Sequence, residues 1–194
     1  MNTNELLDSL AKRNAAIVHF SHHADMRSGV VFPGDMHNAI VNRDKWSLSC
    51  CVLWPGHQMD LPGSVGVIFE PITVININSV SSDDSGSYQS PDGTDNSAGE
   101  AISKASFNNT FNCHPGRYNE WRVQGASVKG IFVADPNAIL VKKLLLLEIP
   151  GLPDASKIET IGMEEISLKE IFETFPAQHV FTMGKSGLVE ITRP

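Results

Sequence analysis

No run of apolar residues in the 194-residue chain approaches the ~20 needed to span a bilayer, so no transmembrane helix is expected. The opening MNTNELLDSLAKRN lacks the basic start and apolar core of a secretory signal. Cysteine is scarce. Cys50, Cys51 and Cys113 cannot all pair and two of them are adjacent, which argues against a disulfide framework and for a reducing cytoplasm. Lysine and arginine are missing from Trp46 to Ser103, where Asp60, Glu70, Asp83, Asp84, Asp92, Asp95 and Glu100 all fall. That stretch carries the whole net charge of −7, since acids and bases balance at fifteen each elsewhere. The balance argues against a broad cationic nucleic-acid surface but leaves room for a local basic site. H-E-x-x-H, paired C-x-x-C and G-x-G-x-x-G are all absent, and GKS at 184–186 lacks the glycine-rich frame of a phosphate loop.

What is present is ordinary globular material, 41% hydrophobic and 19% charged, long enough for one domain over residues 1–194. Leu6, Leu7 and Leu10 at helical spacing predict a short amphipathic helix. IVHF, WSLSCCVLW, SVGVIFEP and ITVININSV read as β-rich runs, with a helical turn at DMHNAIV between the first two. Residues 81–99, SSDDSGSYQSPDGTDNSAG, lack periodicity and are expected to be a mobile acidic loop, with a short helix in GEAISKASFN after it. YNEWRV, VKGIFVAD and ILVKKLLLLEI follow as strands, the last with the lysine pair of an edge strand. A C-terminal helix and hairpin are expected over about 163–192. In SLKEIFETF, Ser167 and Glu170 form a capping box and Pro176 ends the helix; the hairpin turns at Gly184–Gly187. The strands do not alternate with long helices, so the class is α+β, with the core in about residues 15–150.

Side chains two apart on a strand share a face. Ile17, His19 and Ser21 form one such row, Ser47, Ser49 and Cys51 a second, and Tyr118, Glu120 and Arg122 a third. Val18 and Phe20, then Leu48, Cys50 and Val52, then Trp121 and Val123 form apolar backs to these rows. Three strands contributing His, Ser and Glu in that order suggest a cleft.

The order resembles the NAD-binding constellation of ADP-ribosyltransferases. IVHFSHHADMRSGVVFPGDMHNAI looks like the opening of DarT-type and other toxin-like members, and RYNEWRVQGASVKGIFVAD is similar to the family's closing element. SLSCC departs from the Ser-Thr-Ser of one branch, and Tyr118 is not the Gln or Glu of arginine-modifying members. The resemblance implies a compact split β-sheet core with short flanking helices and NAD as co-substrate. It implies Glu120 as the catalytic carboxylate and His19, Ser21, Arg27, Ser47 and Ser49 as NAD-binding residues. In NNTFNCHPGRY it implies an acceptor site at Phe111, His114, Arg117 and Tyr118, whose aromatics and cation fit an exposed base slightly better than a protein side chain. Toxin-like members act in conflict between cells or with phage, which would call for a neutralising partner.

Two other classes remain open. His19, His22, His23 and Asp25 form an H-x-x-H-H-x-D cluster that would serve a metal-dependent hydrolase if His37, His57 or His114 added ligands. The same scaffold would also serve a non-enzymatic binding or inhibitory protein.

Overall fold

The computed structural model describes residues 1–21, 31–57, 61–86, 88–89, 95–96, 98–112, 118–148 and 157–193. Along these the chain runs α1 (Thr3–Lys12), β1 (Ala16–Phe20), α2 (Gly34–Asn42), β2 (Leu48–Leu53), β3 (Val65–Glu70), a 3-10 turn (Val74–Asn76) and β4 (Ile77–Ser81). It continues through β5 (Tyr88–Gln89), β6 (Asp95–Asn96), α3 (Lys104–Thr110), β7 (Glu120–Val123) and β8 (Ser127–Val133). The last elements are β9 (Ile139–Glu148), β10 (Lys157–Ile166), α4 (Leu168–Thr174), β11 (Val180–Gly184) and β12 (Gly187–Glu190). The class is α+β, built on an eight-stranded sheet in the order β12-β11-β8-β3-β1-β2-β7-β4. All its pairings are antiparallel except β8 with β11. No described helix is long and apolar enough to cross a membrane.

The two faces of this sheet are covered differently. On one, Leu6 and Leu10 of α1, Met36 and Ala39 of α2, Phe107 of α3 and Ile171 and Phe172 of α4 pack on Ile17, Val52, Val67, Trp121 and Ile131. Full burial of each of the Leu, Ile, Val, Met and Phe side chains among them stabilises the fold by ~1.5–3 kcal/mol. The opposite face holds a smaller cluster, Ala16, Val18, Phe20, Cys51, Leu53, Ile68 and Phe132, against which Tyr118 and Phe181 pack, and no described helix contributes to it. Helix ends are set locally: Asn2 and Glu5 form a reciprocal capping box on α1, and the Ser167 hydroxyl accepts from the Glu170 amide at the start of α4.

Between β1 and β2 the ladder is short. Three pairs join them, Ala16 with Leu53, Ile17 with Val52 and Val18 with Cys51, and the pairing stops where His19 begins. On its other side β1 pairs with β3 through Phe20, opposite Gly66. A Cβ on Gly66 would lie 2.5 Å from the His19 carbonyl oxygen, so only glycine lets β3 approach the end of β1 this closely.

Three expectations change. ITVININSV is not one strand: Thr73 and Asn76 cap a 3-10 turn before β4 starts. Lys157–Ile166 forms an unexpected strand, pairing with β9 over ten residue pairs as a separate two-stranded sheet. In that sheet β9 is an edge strand, as expected, but its lysines turn to protein rather than water: Lys142 is buried, and the Lys143 ammonium meets Glu170 at 2.6 Å and Glu164 at 3.5 Å.

Candidate functional site

Glu120 opens β7, between two buried residues that fix its place. Asn119 on one side is fully buried. Its Oδ1 accepts from the Val52 amide at 2.7 Å and its Nδ2 donates to the Val52 carbonyl at 2.9 Å, so a side-chain amide completes the ladder to β2. Trp121 on the other side is also fully buried, and its indole N–H donates to the Thr110 hydroxyl at 3.0 Å. These two anchors leave the Glu120 backbone little freedom.

Glu120 is itself only 4% exposed. A buried carboxylate is stable only where its oxygens are met by donors or charge. Oε1 accepts from the Ser49 hydroxyl at 2.7 Å, and Oε2 accepts from the Ser85 amide at 3.0 Å and from the Ser85 hydroxyl. Arg122, 3% exposed, lies two residues on along the same face and brings a cation to that side of the sheet. Asp84, next to Ser85, accepts the Tyr118 phenol proton at 2.7 Å. Burial and that carboxylate push the Tyr118 phenol up, so it remains a protonated donor.

His19 reaches this cluster through one residue. Its Nδ1 lies 2.7 Å from the Ser49 carbonyl oxygen, and the hydroxyl of the same serine is on Glu120. His19, Ser49 and Glu120, on β1, β2 and β7, are thus joined in a single hydrogen-bonded line across the end of the short ladder. They do not share one face, however. Ile17 pairs with Val52 and Ser49 with Arg122, so the row Ile17, His19, Ser21 lies on the helix-covered side while Ser49 and Glu120 lie on the other.

The remaining expected site residues are dispersed. Ser21 is buried against α2, its hydroxyl donating to Asp35 at 2.5 Å. Ser47 is buried and accepts from the Asn78 amide of β4 at 3.0 Å. Phe111 packs among Trp54 and Phe107 beneath the Arg13 guanidinium, with the helix-side core, whereas Tyr118 belongs to the opposite face. The structure does not bring these two aromatics together. Arg27, His114 and Arg117 lie outside the described residues, as do His22, His23 and Asp25 of the metal reading. Among the described residues no three His, Cys, Asp or Glu side chains are grouped to hold a metal ion. His37 packs edge-on against Phe175, and His57 stacks on Trp54 with ring centroids 3.5 Å apart. Burial pushes the Cys50 thiol up, which makes it a poor nucleophile.

The sequence reading did not single out Asn119, Asp84 or Ser85. Asn119 carried a signal, a polar residue in the alternation before Glu120 whose place is interior. Ser85 carried only its presence in a polar loop.

Compared with known proteins, the chain matches no family model, no curated protein and no solved structure.

Proposed function

We propose that the chain is an NAD-dependent mono-ADP-ribosyltransferase of the toxin-like type, acting on a macromolecular acceptor, nucleic acid rather than protein. The observation that carries this reading is the line His19–Ser49–Glu120, formed by three strands where the β1–β2 ladder ends, with a carboxylate whose two oxygens both take hydroxyl donors. A carboxylate that already binds hydroxyls is chemically suited to a ribose. The acceptor class rests on the resemblance of the sequence, and a toxin of this kind would have a neutralising partner.

Glycosidic cleavage of the nicotinamide–ribose bond develops positive charge on the sugar. NAD supplies that bond and the leaving group. Glu120 would stabilise the sugar cation and take the proton of the incoming nucleophile. Ser49 aims Oε1, and Arg122 lends charge to the same face. The His19 ring, at hydrogen-bond distance from the Ser49 carbonyl through Nδ1, would steady that serine from the neighbouring strand. The fully buried Asn119 and Trp121 keep the carboxylate from drifting as charge develops.

A second reading, a binding protein on the same scaffold, draws on one observation: the carboxylate is closed over by the chain's own Ser85. Labelled NAD incubated with the purified chain and whole-cell lysate separates the two. Label on macromolecules that disappears with Glu120→Gln supports the transferase, and its loss on nuclease rather than protease digestion supports a nucleic-acid acceptor. Label equal in Glu120→Gln, or none at all, removes the transferase reading.

A further inference from the structure

The expected loop at 81–99 begins by doing something specific. Register places Ser81, the last residue of β4, opposite Glu120. The chain then turns over the end of the neighbouring strand β7. The Asp83 amide donates to the Ser81 hydroxyl at 3.3 Å, the Gly86 amide donates to Asp84 at 3.0 Å, and Gly86 takes φ +63°. That turn sets Ser85 on Glu120 Oε2 by both its amide and its hydroxyl, while Tyr118 holds Asp84 from the side.

We propose that Asp83–Gly86 is a built-in strap that closes the site, with the Ser85 hydroxyl standing where a substrate hydroxyl has to bind Glu120. This rests on the transferase reading and adds a regulatory step to it. Three features carry it. First, Oε2 already accepts two hydrogen bonds from Ser85, which fills the two lone pairs in the carboxylate plane, and Oε1 accepts from Ser49. A ribose or acceptor hydroxyl that binds Oε2 must therefore displace Ser85. Second, Glu120 is buried on a face to which no described helix contributes, so its cover on that side includes this segment. Third, Asp83, Asp84, Ser85 and Gly86 include no apolar side chain, and Asp84 and Gly86 are exposed. Such a segment buries no apolar side chain of its own and can open without exposing one.

The strap makes the chain's own serine a competitor of NAD. Opening costs the hydrogen bonds to a charged group, and the fraction of open chain scales the apparent affinity. Removing the hydroxyl should raise that fraction.

The test compares wild type, Ser85→Ala and Tyr118→Phe in NAD binding by calorimetry and in nicotinamide release. Ser85→Ala should gain apparent NAD affinity on the order of tenfold, and Tyr118→Phe, which releases Asp84 while keeping the ring, should gain less. In wild type, hydrogen exchange at the Ser85 amide should be slow in the free chain and accelerate on saturation with NAD. Wild type that binds and cleaves NAD, with both variants no better and the Ser85 amide unchanged, overturns the strap and leaves the transferase standing. No NAD binding or cleavage by any of the three overturns the transferase reading and the strap with it.

Discussion

Ser49 donates its hydroxyl to Glu120 Oε1 at 2.7 Å from the neighbouring strand, while its carbonyl oxygen lies 2.7 Å from His19 Nδ1. One serine therefore couples the histidine strand to the glutamate strand. Ser49→Ala keeps the backbone link to His19 and removes only the bond to the carboxylate. It should cost about 1–2 kcal/mol in urea denaturation and lower nicotinamide release. A variant of unchanged stability and turnover would show that the hydroxyl does not position Glu120.

Glu120→Gln is a structural as well as a chemical change. On the sequence alone, a carboxylate facing an open cleft is expected to tolerate Gln with folding nearly intact. In the fold it is buried, and hydrogen bonds that end on two carboxylate oxygens would have to be rearranged around one amide oxygen and one N–H₂. The variant should lose about 1–3 kcal/mol. Folding should be verified by circular dichroism before any loss of activity is assigned to chemistry.

Asn119 makes a sharper prediction. Its amide satisfies both the N–H and the C=O of Val52 in a fully buried position. Asn119→Ala leaves both groups unpaired and should destabilise by about 2–4 kcal/mol. Asn119→Asp should be worse, because one carboxylate oxygen would face the Val52 carbonyl. Leu at this position, which fills volume without donors, should rescue little. Midpoints in urea at constant slope report all three.

His57 predicts a pH dependence. Burial lowers its pKa below the usual value near 6.5, and neither ring nitrogen has a hydrogen-bond partner among the described residues. The unfolded chain therefore binds a proton more readily than the folded one. The stabilising contribution is complete above about pH 6.5 and is lost as pH falls from there through the folded pKa. His57→Phe should keep the stack on Trp54 and flatten the denaturation midpoint over that acid range. An unaltered slope would mean that another group controls it.

How much of this the sequence displayed depends on the range of the interaction. Leu6 and Leu10, the Ser167 cap and the Gly184–Gly187 hairpin are local patterns, and each appears where its pattern places it. Lys157–Ile166 was missed because Glu159, Glu164 and Glu165 hide its alternation, and its ten pairs with β9 supply what its own pattern lacks. The faces are the clearest case. A period of two groups Ile17, His19 and Ser21 correctly, but only the pairing of Ile17 with Val52 shows that this row backs the Ser49–Glu120 row. Register is a non-local quantity, and no single strand contains it. Ser85 on Glu120 is likewise a contact across 35 positions in a segment without periodicity.

The most direct measurement is nicotinamide release from NAD by wild type and Ser85→Ala, each with and without Glu120→Gln. Release should be seen in wild type, rise in Ser85→Ala, and fall to background in both forms carrying Glu120→Gln. Release that persists after Glu120 is replaced, or a folded Ser85→Ala chain that neither binds nor cleaves NAD, would contradict the assignment.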